Sequence, residues 1–179
     1  VFNFKNHDNF HHFLARVTCT SRICFEDKYL KEHYGFPFIV GLDIFVHDNV
    51  SKDGKAQEQN EKIAEYIITV ADNIADGNLK GVQEKDALKR IGQICNCNVP
   101  VYENKEKERI QLYTLAENIF AAFKDDDCDE MTQMMPYSMY GNHMRIPKKY
   151  YDKVIRVPFE NTTIPVPIGF DAMLSKRYG

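Results

Sequence analysis

Residues 36–50 read FPFIVGLDIFVHDNV, and the fold turns on how this stretch is interpreted. Phe36 to Leu42 are apolar or small, Asp43 interrupts them, and further apolar residues lead to His47 and Asp48. Such β-branched and aromatic residues predict a strand over 36–46. Side chains alternate along a strand. Phe38, Val40, Leu42 and Ile44 therefore share one face, and Ile39, Gly41, Asp43 and Phe45 share the other. A carboxylate at mid-strand is expected to be buried, and an unpaired buried charge costs several kcal/mol. Asp43 must then be protonated, ion-paired or bound to a metal. Arg16 or Arg22 would supply the cation of an ion pair. Asp43 together with Asp48 would instead suit the hard cations Mg²⁺ or Mn²⁺. On residue types alone the two explanations stand level.

Outward from this strand the chain alternates between short strands and amphipathic helices. Upstream, residues 10–26 mix aromatic, β-branched and cationic residues and predict strand, turn and strand. Downstream, Asp53-Gly54 turns into a helix over 55–75, in which Ile63, Ile67, Val70 and Ile74 recur at helical spacing. Gly77 is placed to end it. A second helix over 83–95 aligns Leu88, Ile91 and Cys95, and a third over 104–123 aligns Leu112, Ala116, Ile119 and Phe123. These stripes are core faces. The acidic run Asp125-Asp126-Asp127 follows a helix, where carboxylates oppose the macrodipole, and is expected to be a solvated turn. Near the C-terminus, Val154–Phe159 and Thr163–Val166 flank Glu160-Asn161-Thr162 as a hairpin whose prolines restrict it to irregular or edge pairing. A short helix through Phe170, Met173 and Leu174 follows. No repeat or low-complexity linker interrupts the 179 residues, which are expected to form one domain.

Composition excludes several classes. The chain is 44% hydrophobic and 27% charged, within the globular range. A net charge of −3 leaves no basic footprint for nucleic acid. No apolar run is long enough for a transmembrane helix. Five cysteines without framework spacing predict free thiols and a reducing, cytoplasmic setting. Cys95-Asn96-Cys97 lacks the gap and the second pair of a zinc knuckle. His7, His11 and His12 cluster in sequence, but without helical periodicity they define no metal face. His33 and His143 have no partner in sequence. The chain begins at Val1 rather than Met and ends on Lys176-Arg177-Tyr178-Gly179, so a piece of a longer protein is expected.

Three segments, in order, resemble the LicD family, the fukutin-related group with a nucleotidyltransferase-like fold. Gly41-Leu42-Asp43-Ile44-Phe45-Val46-His47-Asp48 resembles its Asp-Ile-Phe-Pro-x-Asp segment, with Val46 in place of proline. Pro158-Phe159-Glu160-Asn161 leads to Ile164-Pro165-Val166-Pro167, and Phe170–Gly179 resembles the closing Tyr-Asp-x-Tyr-Leu-x-x-x-Tyr-Gly. Phe13–Val17 resembles a basic strand before the Asp segment. The resemblance implies an α+β fold, a nucleotidyltransferase-like mixed sheet packed with helices, with a C-terminal hairpin and short helix. It implies metal-dependent transfer of phosphocholine, or a related phospho-group, from a CDP-choline-like donor to a cell-surface glycan. Peripheral association with the inner face of the membrane would follow from such an acceptor. Asp43 would be the outlying catalytic acid and a metal ligand, with Asp48 beside it. Arg16, Arg22 and His47 would bind substrate, while Glu160 and Tyr178 look architectural. The family's Asp-rich pair has no counterpart here and is expected before Val1, so the chain would hold one catalytic acid of three. The alternative is a non-catalytic module on the same fold that binds glycan or a partner. Tyr137/Tyr140 and Tyr150/Tyr151 would be its local candidates for an aromatic cage.

Overall fold

The computed structural model describes residues 3–6, 12–18, 24, 26–32, 41–133 and 145–179. Arg22, His7, His11, His33, His143, Tyr137 and Tyr140 lie outside them. So do residues 36–40 of the predicted strand and most of the strand predicted beyond Thr18. The chain is α+β and falls into two compact units, Val1–Val46 and His47–Gly179.

In the first unit, β1 (Leu14–Thr18) pairs antiparallel with β2 (Gly41–Phe45), and a short helix α1 spans Asp27–Glu32. Thr18 faces Gly41 across the pair. A Cβ on Gly41 would come within 2.7 Å of the Val17 carbonyl oxygen, so this close approach of backbones requires glycine.

The second unit is organised by three helices: α2 (Gly54–Ala75), α3 (Val82–Cys95) and α4 (Lys105–Phe120). The α2 start is set by Asp53, whose Oδ1 accepts from the backbone N–H groups of Lys55 at 2.9 Å and Ala56 at 3.3 Å. Its end is a Schellman motif. The Asn78 N–H reaches the Asn73 carbonyl at 2.8 Å and the Gly77 N–H reaches Ile74 at 3.0 Å, with Gly77 at φ 75°. The predicted stripe of Ile67, Val70 and Ile74 is buried, chiefly against α4, and Leu88, Ile91, Leu112 and Ala116 are buried too. Ile63, Cys95 and Ile119 are only half-buried. The third helix stops at Phe120 and tightens into a 3-10 turn over Ala121–Phe123, earlier than the sequence predicts. Asp125, Asp126 and Asp127 are exposed, as an acidic turn should be.

Strands β3 (Asp48–Val50), β4 (Glu130–Thr132) and β5 (Arg145–Pro147) form a small antiparallel sheet, and β6 (Val154–Phe159) pairs with β7 (Thr162–Pro167) as the predicted hairpin. Helix α5 (Phe170–Tyr178) closes the chain. Every described strand pair is antiparallel, in three separate sheets. Gly77→Ala should lower stability by about 1–2 kcal/mol, because alanine is strained at positive φ. A urea titration with an unchanged m-value checks this.

Candidate functional site

The expectation of a buried Asp43 needs correction. Every residue of β2 is exposed, because the strand's only partner among the described residues is β1. The Asp43 side chain keeps 33% of its surface. Between the two explanations that the sequence left level, the structure shows the ion pair. Arg16 sits directly opposite Asp43 in the β1–β2 register. Its Nε donates to Asp43 Oδ1 at 2.5 Å and its Nη2 to Oδ2 at 2.9 Å. The planar guanidinium thus engages both oxygens of the planar carboxylate, the two-point geometry that lysine cannot supply. This bonding holds the Asp43 carboxyl below its usual range, with a further contribution from His12. Val17, Leu42 and Ile44 lie on the opposite face of the pair, all exposed.

His47 and Asp48 belong to the second unit. Asp48 starts β3 opposite Thr132 and is half-buried. Burial, reinforced by the nearby Glu117 carboxylate from α4, pushes its carboxyl up to about 6. His47 lies 6.2 Å from the Tyr151 ring, centroid to centroid. Burial and then the positive charge of Arg177 hold its imidazole below the usual range, so it is neutral at pH 7. Tyr151 donates its hydroxyl to Met173 Sδ at 3.0 Å, and burial raises its phenol. Arg177 Nη2 donates to Gln133 Oε1 at 3.3 Å and its guanidinium lies 5.6 Å from the Tyr178 ring centre. One cluster therefore gathers His47 from the start of this unit with Tyr151, Met173 and Arg177 from its end. The cluster places the Arg177 guanidinium near enough to His47 to disfavour its protonation. Sequence reasoning named His47 and the Tyr150/Tyr151 pair but missed Glu117, Gln133 and the role of Arg177, since no spacing rule links residues so far apart.

Divalent metal fits these side chains poorly. Both Asp43 oxygens accept from Arg16, and among the described residues Glu117 is the one carboxylate whose charge acts on Asp48. Among the described residues no group of three or more His, Cys, Asp or Glu side chains is arranged to hold an ion. Cys24, Cys95, Cys97 and Cys128 are free thiols, as predicted. No described helix is long and apolar enough to cross a membrane. The chain matches no family model, no curated protein and no solved structure.

The raised Asp48 carboxyl has a definite sign for stability. Between the unfolded value near 4 and the folded value near 6, the native state binds the extra proton. Stability therefore falls as pH rises through that window. Asp48→Asn should remove the slope and stabilise the protein at pH 7 by about 1–2 kcal/mol, after allowance for partial exposure. Thermal or urea unfolding of both proteins at pH 4 and pH 7 measures the difference.

Proposed function

We propose that this chain is part of a LicD-like, nucleotidyltransferase-fold phosphotransferase. Its reaction moves phosphocholine, or a similar phospho-group, from a CDP-activated donor to a cell-surface glycan at the inner face of the membrane. The observation that carries this reading is the Arg16–Asp43 opposition across β1 and β2, which puts an acid and a phosphate-binding fork side by side within the segment that resembles the family. Phosphoryl transfer requires little covalent chemistry from protein and depends on positioning and charge neutralisation. In this reading Arg16 holds Asp43 ionised and oriented in the resting protein, then turns its fork to the donor's phosphate oxygens. The Mg²⁺ or Mn²⁺ that such chemistry uses would neutralise phosphate charge.

One observation favours the alternative, a non-catalytic module that binds glycan or a partner. The Asp43 carboxylate already accepts one hydrogen bond from Arg16 on each oxygen, which is also how a purely structural ion pair looks.

The two readings separate on Asp43→Asn in the protein that carries this domain, assayed for Mn²⁺-dependent turnover of CDP-choline. Asparagine preserves shape and a hydrogen bond to Arg16 but not the charge. Catalysis predicts a loss of about 100-fold or more in kcat with folding retained, the scale of removing one preorganised charged group. No turnover beside intact glycan binding in the native protein would instead establish the module, and wild-type turnover in the variant would leave Asp43 a structural ion-pair partner without a catalytic role.

A further inference from the structure

Helices α2 and α3 frame a cleft of about 490 Å³ that the transferase reading leaves unused. Its α2 wall carries Lys55, Glu58, Lys62 and Tyr66, and its α3 wall carries Arg90 and Ile94. Three cations against one carboxylate make the lining net positive. Glu58 is already committed to Lys62, whose Nζ lies 2.5 Å away. Among the described residues neither Lys55 nor Arg90 has a carboxylate partner. Arg90 is held instead by its guanidinium lying 5.4 Å from the Tyr66 ring centre. Stacking of that kind fixes the plane of the guanidinium and leaves its N–H fork free to meet a tetrahedral anion.

Lys55 sharpens the point. It occupies the first turn of α2, which contains no acidic residue. A cation there opposes the helix macrodipole, which the capping carboxylate of Asp53 offsets. Lys55 and Lys62 are seven residues apart on one face, about 10 Å along the axis, which brackets a small organic anion. Ile94 keeps 43% of its surface, adding exposed apolar area beside the charges.

We propose that this cleft binds a soluble phosphate ester, with the phosphate on Arg90 and Lys55 and an apolar or ring portion against Ile94 and Tyr66. Phosphate is favoured over a lone carboxylate because both walls of the cleft supply a cation, Lys55 on α2 and Arg90 on α3, and a doubly charged anion gains more from the pair. The site is independent of Asp43 and of any metal.

The test is titration of the isotope-labelled protein with phenyl phosphate in EDTA, followed by amide resonances, with inorganic phosphate and phosphatidylglycerol vesicles as parallel arms. Phenyl phosphate should shift resonances of α2 around residues 55–66 and of α3 around 90–94, more strongly than inorganic phosphate. Arg90→Gln, an exposed substitution that should leave the unfolding temperature unchanged, should weaken binding about tenfold. Unmoved resonances, shifts scattered over the surface, an unaffected Arg90→Gln protein, or binding to vesicles alone would each overturn the proposal. Because no donor nucleotide or metal is present, failure here would leave the transferase reading untouched, and the reverse also holds.

Discussion

The packing of α2 on α4 is the contact from which the second unit is built. Ile67, Val70 and Ile74 on one helix and Leu112 and Ala116 on the other are removed from water. Each large aliphatic side chain so buried contributes about 1.5–3 kcal/mol. Two polar bonds set the register. The Asn60 amide donates to the Ile119 carbonyl at 2.6 Å, and the Tyr113 hydroxyl bonds to Asp72 Oδ1 at 2.5 Å. The consequences reach the site. At the far end of α4, the Asn49 amide donates to the carbonyls of Phe123 and Lys124, at 2.9 and 3.0 Å, and so ties β3 to this helix pair. Asp48 begins that strand and Glu117 projects from α4, so the helix packing brings their charges within range of each other.

Charge in this unit is handled in two ways. Glu84 and Glu108 are buried, and Lys105 Nζ lies between them at 2.5 and 2.8 Å while also reaching the Tyr102 carbonyl at 3.0 Å. That arrangement adds little net stability, because desolvation offsets the attraction, but loss of the lysine would strand two buried carboxylates. It therefore specifies how α3 meets the start of α4. On the outer face of α2 and α3 the opposite holds: Lys55 and Arg90 line a cleft whose one carboxylate, Glu58, is paired with Lys62. The carboxylates that lock the fold are buried and paired, while Lys55 and Arg90 at the cleft are exposed.

The helices were legible because burial imposes a period that sequence alone displays. Ile67, Val70 and Ile74 repeat at helical spacing, Asp53 is a capping residue, and Gly77 can take the positive φ that ends α2. The C-terminal hairpin was legible for a similar reason, two β-rich runs around a short polar turn. Asp43 was misjudged because an apolar stretch implies burial only when a second layer covers it, and here β2 pairs with β1 alone among the described residues.

Sequence by itself determined the local elements of this protein, since propensity, capping and periodicity act over a few residues. It also narrowed the partners of Asp43 to a cation or a metal. Only the tertiary structure decided that Arg16 stands opposite Asp43, because strand register is a long-range choice between segments 27 residues apart. It alone decided that His47 meets Tyr151 and feels Arg177, and that Asp48 feels Glu117, because electrostatics depends on distance in space rather than along the chain.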